Sequence, residues 1–274
     1  MPTRRIVLAT IIAATLGTAS LASSHSPGRS SGVYMEFDFI AYDDGTWHHS
    51  AKLWLVDGRL RIDEMVEEAA MAGWVTHMWF GGDEPGFVNI AHQKKWYMRA
   101  TPEELFGASD PEPEYEPALG ADEALLALRT GSTKPVDRWN AFEVEIREPG
   151  PEEERRRVSE TGVQIIRRER RIATLWMSEQ PEVDLHGFSV LLVSSIDWYL
   201  ARSGGNGGLF RALSAICEGR VEDLPAGFPV EISFLDGDPD LIVRVVEYRP
   251  IVDSIFTIPS DYTELDRTKK RRSS

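Results

Sequence analysis

From Val33 onward, apolar and polar residues alternate with a period of two. Val33, Met35, Phe37 and Phe39 interleave with Tyr34, Glu36, Asp38 and Ile40, the pattern of a strand with one face against a core. Ala51-Lys52-Leu53-Trp54-Leu55-Val56 then runs into Asp57-Gly58 and returns as Arg59-Leu60-Arg61-Ile62-Asp63. Asp-Gly accepts the positive torsions of a tight primed turn, so this segment predicts a β-hairpin. Further strands are predicted at Trp74–Gly81, Gly86–Ala91 and Lys95–Arg99, making the first third an antiparallel meander.

The pattern breaks between Thr101 and Glu123. This stretch holds eight acidic residues, no Lys or Arg, and prolines at 102, 111, 113 and 117, which predicts an extended acidic loop. A short helix is expected from Ala121 to Arg129. Strands resume at Asn140–Arg147 and Arg171–Ser178. Between them lies the one concentration of positive charge, Arg155, Arg156, Arg157, Arg167, Arg168, Arg170 and Arg171. Intervening glutamates partly neutralise it, so it reads as a solvated hairpin face, with a phosphate or headgroup site as the sharper alternative.

Leu185, Phe188, Leu191, Leu192, Ile196 and Tyr199 recur at three- and four-residue spacing, predicting an amphipathic helix from about Asp184 to Arg202. Glycines 204, 205, 207 and 208 end it, and a second helix is expected over Leu209–Glu218. Strands at Val230–Leu235, Leu241–Tyr248 and Ser254–Ile258 close the pattern. Strands before and after one helical block imply an α+β fold: an unclosed antiparallel half-barrel with two or three helices covering its concave face.

Composition narrows the function. The 274 residues carry a net charge of −14, which argues against a general nucleic-acid binder. A single cysteine, Cys217, rules out an internal disulfide and a Cys-based zinc site; in a helical setting it reads as a small buried hydrophobe. Met1–Ala22 reads as a secretory signal peptide, with Arg4-Arg5, an apolar run and Ser20-Leu21-Ala22 before a mature start at Ser23. Twin-arginine export and an uncleaved anchor are the alternatives. Residues 23–32 read as a flexible lead, 33–263 as one domain, and 264–274 as a basic disordered tail. His48 and His49, adjacent on a strand, face opposite sides and cannot easily share a metal. No His-Glu-x-x-His or Gly-x-Ser-x-Gly occurs. Neither a catalytic residue, a metal nor a cofactor is therefore assigned.

The layout resembles the periplasmic lipoprotein-carrier superfamily of LolA-type and LppX-type proteins. The resemblance rests on residues 52–63, similar to that family's second hairpin, on Val252–Tyr262, similar to its closing strand and Pro-aromatic finish, and on Gly227-Phe228-Pro229-Val230. It implies a non-enzymatic carrier of an apolar ligand, a lipid or an acylated protein, with possible peripheral contact to a membrane. The implied cavity lies between helix and sheet, lined by Phe37, Leu55, Phe188, Leu192, Ile196 and Tyr199. In LolA-type carriers an arginine before a proline latches the lid. Here those positions read Asp57-Gly58, and Arg61 is the candidate substitute. The competing reading is an envelope interaction or sensor module on the same fold, with the acidic loop as its contact surface.

Overall fold

A computed structural model describes residues 29–43, 45–66, 73–106, 125–159, 162–202, 220–234 and 240–265. The N-terminal meander comprises β1 (Arg29–Asp43), β2 (Gly45–Val56), β3 (Arg59–Val66), β4 (Gly73–Phe80), β5 (Gly86–Ala91) and β6 (Trp96–Ala100). A second meander follows: β7 (Leu125–Val136), β8 (Trp139–Ser159), β9 (Gly162–Ser178), β11 (Phe228–Phe234) and β12 (Asp240–Val252). Antiparallel pairing of β12 with β1 fuses the two. Two-residue strands β10 (Val221–Glu222) and β13 (Thr263–Glu264) lie at the edges, pairing in parallel with β7 and β6. The result is one open, half-barrel-like sheet in the order β10-β7-β8-β9-β11-β12-β1-β2-β3-β4-β5-β6-β13. Register shifts opposite Glu36/Phe37, where β12 carries the extra residue Arg244, and at Pro229/Glu231 in β11 mark bulges, the usual means of bending a sheet.

Helix α1 (Pro102–Phe106) follows β6, and α2 (Leu185–Arg202) connects β9 towards β11. The periodicity of α2 is realised: Phe188, Leu192 and Ile196, four residues apart, are fully buried on one sheet face. They join a core drawn from both meanders, including Phe37, Leu55, Val144, Leu175 and Val243. A smaller cluster lies on the opposite face of the first meander, with Met78, Val88, Ile90 and Phe256 at its centre.

Four expectations are corrected. Leu125–Arg129 belongs to strand β7 rather than to a helix over Ala121–Arg129, because Leu125 and Ala127 alternate with more exposed neighbours and Leu126–Arg129 pair with β8. Ser254–Ile258 is no strand: β12 continues to Val252, and a 3-10 turn spans Asp253–Phe256. The lead is shorter than expected, since Arg29, Ser30, Ser31 and Gly32 already pair with β12. The strands around the Arg-rich segment also run much further, to Ser159 and from Gly162. The expected helix at Leu209–Glu218, Cys217 within it, the acidic loop beyond Phe106 and the signal segment lie outside the described residues. Among the described residues, no helix is long and apolar enough to cross a membrane.

Candidate functional site

The face covered by α2 is seated by polar contacts as well as apolar ones. Asp184 caps the helix, its Oδ1 accepting the Gly187 N–H at 2.6 Å, while the Tyr248 hydroxyl donates to Oδ2 at 3.0 Å. Burial and this carboxylate push the Tyr248 pKa up to about 12. Further along, the Gly58 N–H of the β2–β3 turn donates to Ser194 Oγ at 2.9 Å. The hydroxyls of Ser189 and Ser195 face the core because they donate back to the Leu185 and Leu191 carbonyls, at 2.6 and 2.9 Å. Of the predicted cavity residues, Phe37, Leu55, Phe188, Leu192 and Ile196 are brought together in this one core. Tyr199 lies on the same helix, and its side chain is outside the described set.

Arg61 does not contact α2. Its strand neighbours Leu60 and Ile62 point into the helix-side core, so Arg61 faces the other way. There its guanidinium makes a two-pronged pair with Asp63, at 2.8 Å on both arms, lies over Trp54 and donates to the Ile255 carbonyl. Contacts to the helix at this turn come instead from the Gly58 backbone.

Arg61 opens a polar chain across that second face. The Thr76 hydroxyl donates to Asp63 at 2.5 Å. With its one proton so committed, Thr76 Oγ1 accepts from His92 Nε2–H at 2.8 Å, and His92 Nδ1 accepts from the Tyr262 hydroxyl at 2.9 Å. Burial lowers the His92 pKa. The chain resembles a catalytic relay only superficially: Thr76 is fully buried and its proton points at a carboxylate. Its physical effect is to hold the C-terminal segment against the sheet. Arg59–Asp253 and Lys95–Asp261, each at 2.7 Å, and the pairing of β13 with β6 complete that strap.

Between the strap and α1 lies a groove of about 540 Å³. Its floor is β4 to β6, with Met78, Phe80 and Val88; Phe256 and Ile258 of the strap form one wall. Thr101 and Glu104 border the other side and are occupied with each other in a capping box: Thr101 N–H to Glu104 Oε2 at 2.9 Å, Glu104 N–H to Thr101 Oγ1 at 3.3 Å. Arg99 supplies the one cation among the lining residues. None of the six predicted cavity residues lines this groove. The available signal was that apolar residues fall at both odd and even positions of β4 and β5, which are buried on both faces.

A buried polar pair sits on the helix side of the same strands. His77 Nε2 meets Glu64 Oε1 at 2.8 Å, both essentially inaccessible to solvent. Among the described residues, His77 Nδ1 has no hydrogen-bond partner, nor does Oδ1 of Asn89, the residue directly across from His77 on β5. Among the described residues, no cluster of three or more His, Cys, Asp or Glu could hold a metal.

No family model matches the chain, and no curated protein matches it. Several solved structures align with it at low TM-scores. An uncharacterised conserved protein from Thermus thermophilus aligns over 97% of this chain and all of its own, at TM-score 0.39 and 7% identity. An outer-membrane lipoprotein-sorting protein domain from Vibrio parahaemolyticus aligns over 80% of this chain and 85% of its own, at TM-score 0.29 and 6% identity. A LolA superfamily protein from Nitrosomonas europaea covers 85% and 92%, at TM-score 0.24 and 10% identity.

Proposed function

We propose that the protein is a non-enzymatic binder of an acyl chain, carried by a lipid or an acylated partner in the cell envelope, and that the chain lies in the groove between α1 and the C-terminal strap. The observation that carries this reading is the groove: about 540 Å³, within the range of small-molecule sites. Its floor and one wall are apolar, and its charged lining residues are Arg99, whose Nε lies 4.0 Å from Glu264, and Glu104. Burial of each methylene is worth about 0.8 kcal/mol, so roughly ten of them offset the ordering cost of association without any catalytic group.

Gly86 provides the test. It lines the groove, and a Cβ there would lie 3.7 Å from the Ala100 carbonyl, an ordinary contact. Gly86→Leu therefore fills the groove with little cost to folding. Delipidated full-length protein is expected to bind a solvatochromic fatty-acid probe saturably, and Gly86→Leu to abolish this at a nearly unchanged melting temperature. Leu192→Trp, which overpacks the core beneath α2, is expected to lower stability without a selective loss of binding. The reverse outcome would move the ligand under α2, among Phe37, Leu55 and Phe188. Absence of saturable binding to the folded wild type would remove the reading and leave the interaction module.

A further inference from the structure

The β8–β9 hairpin outgrows the sheet that carries it. β7 pairs with β8 only as far as Arg147, and β11 pairs with β9 only from Ala173 onward. Among the described residues, the strand segments 149–159 and 162–170 are outside the ladders with β7 and β11 and pair within the hairpin. This two-stranded arm reaches roughly 35 Å at about 3.3 Å per residue. Such a ribbon is marginally stable alone in water, so its length calls for something to lie against it.

The ladder sorts charge along the arm. Near the base, acid stands opposite base: Glu148 with Arg170 and Glu153 with Arg167. Beyond that point the pattern changes. Arg155, Arg156 and Arg157 stand opposite Ile165, Gln164 and Val163, with no carboxylate at the cross-strand position. From Arg155 to Arg168 the sequence holds five arginines and one glutamate. Because residues paired across antiparallel strands share a face, Glu153, Arg155, Arg157, Val163, Ile165 and Arg167 belong to one face of the ribbon, three cations to one carboxylate. The outer arm thus combines cations with β-branched apolar residues, on a chain whose net charge is −14.

We infer that the outer β8–β9 arm is a membrane-docking element that lays Arg155, Arg157 and Arg167, with Val163 and Ile165, on an anionic phospholipid surface. Basic residues near such a surface are attracted within a Debye length, and interleaved apolar residues add burial in the interface. The acidic remainder is repelled, so only the arm end approaches, which fixes the orientation of the docked protein. The inference does not depend on acyl binding in the groove.

Vesicle flotation of the full chain tests it. The protein is expected to float with phosphatidylcholine vesicles doped with phosphatidylglycerol, to stay behind with pure phosphatidylcholine, and to be released by salt. Each arginine at the surface is worth about five-fold in affinity. Reversing three with Arg155→Glu, Arg157→Glu and Arg167→Glu should weaken flotation by at least about a hundred-fold. The milder Arg→Gln triple should weaken it too, with circular dichroism and fatty-acid-probe binding retained by both variants. Unchanged flotation of a folded triple variant, equal flotation with neutral vesicles, or no flotation at all would overturn the inference. Retention on a polyglutamate matrix without flotation would overturn it in favour of an acidic protein partner.

Discussion

Helix α2 comes close against the chain at Gly81, just after β4. A Cβ at that position would lie 1.8 Å from the Ser194 carbonyl oxygen, 2.9 Å from its carbon and 3.1 Å from Ser195 Cα. These are backbone atoms within a helix, so no rotamer change relieves the overlap. Restoring a normal separation requires α2 to move by roughly 1.5 Å. Overpacking of this kind costs about 1–3 kcal/mol. Displacement also stretches the Gly58 N–H to Ser194 Oγ bond, adding about 1 kcal/mol. Gly81→Ala is therefore expected to cost about 3–4 kcal/mol, a fall in melting temperature of roughly 10 °C for a domain of this size. Gly82→Ala is the internal control. Gly82 has φ of +78° and open space around its Cβ position, so only the left-handed backbone is penalised, by about 1 kcal/mol or a few degrees. Thermal unfolding followed by circular dichroism ranks the two. Melting of Gly81→Ala within a few degrees of wild type, or no lower than Gly82→Ala, would show that the helix is not seated on the β4 end.

Two further outcomes follow from buried polar groups. Burial holds the His92 pKa below its ordinary 6.5, so the folded state resists protonation more than the unfolded chain. The resulting stability is complete above about pH 6.5 and declines as pH falls through that value toward the lowered one; melting temperatures across this range should show the slope, and His92→Gln should flatten it. At the Glu64–His77 pair, Glu64→Leu strands a buried imidazole and should cost about 3 kcal/mol. Replacing both by leucine should recover much of that loss, and denaturant midpoints of single and double variants that simply add would refute the coupling.

Much of the first meander was legible because its strands have short connections and the β2–β3 hairpin alternates strictly. The Asp57-Gly58 turn is the clearest case: Gly58 sits at φ +69°, and Leu53, Leu55, Leu60 and Ile62 all enter the core as alternation requires. Misreading of β7 has a definite cause. Leu125-Leu126-Ala127-Leu128-Arg129 is made of strong helix formers, and only pairing with β8, distant in sequence, decides otherwise. The 3-10 turn at Asp253–Phe256 was hidden for a related reason. Ile255-Phe256-Thr257-Ile258 is made of strand formers, yet β12 ends at Val252 and only Phe256 of the turn is buried. The groove was missed because alternation identifies one buried face, whereas β4 and β5 have two. What covers the second face is the strap, roughly 170 residues later in the chain, and no local pattern announces it.

That division between faces sets where the molecule opens first. The helix-side core draws on both meanders, so exposing it means global unfolding. The strap-side cluster is confined to a few strands, Ile251 and the C-terminal segment. Its closing contacts are weaker: Arg59–Asp253 and Lys95–Asp261 involve solvent-exposed carboxylates, and such pairs contribute little. At its far end the strap adds to the Tyr262–His92 bond two backbone bonds, Thr263 N–H to the Lys95 carbonyl at 2.9 Å and Leu265 N–H to the Tyr97 carbonyl at 2.8 Å, and an exposed Tyr97 hydroxyl bond to Glu264 at 3.0 Å. Lifting it therefore costs a fraction of the global free energy, and the wall formed by Phe256 and Ile258 goes with it. A ligand in the groove would bind only the closed form and stabilise it by mass action. In hydrogen exchange, the Thr263 and Leu265 amides should exchange much faster than those paired between β3 and β4, and a saturating fatty acid should slow the strap amides selectively. Uniform exchange of strap and sheet, or protection by ligand spread evenly over both, would show that groove and strap are not coupled in this way.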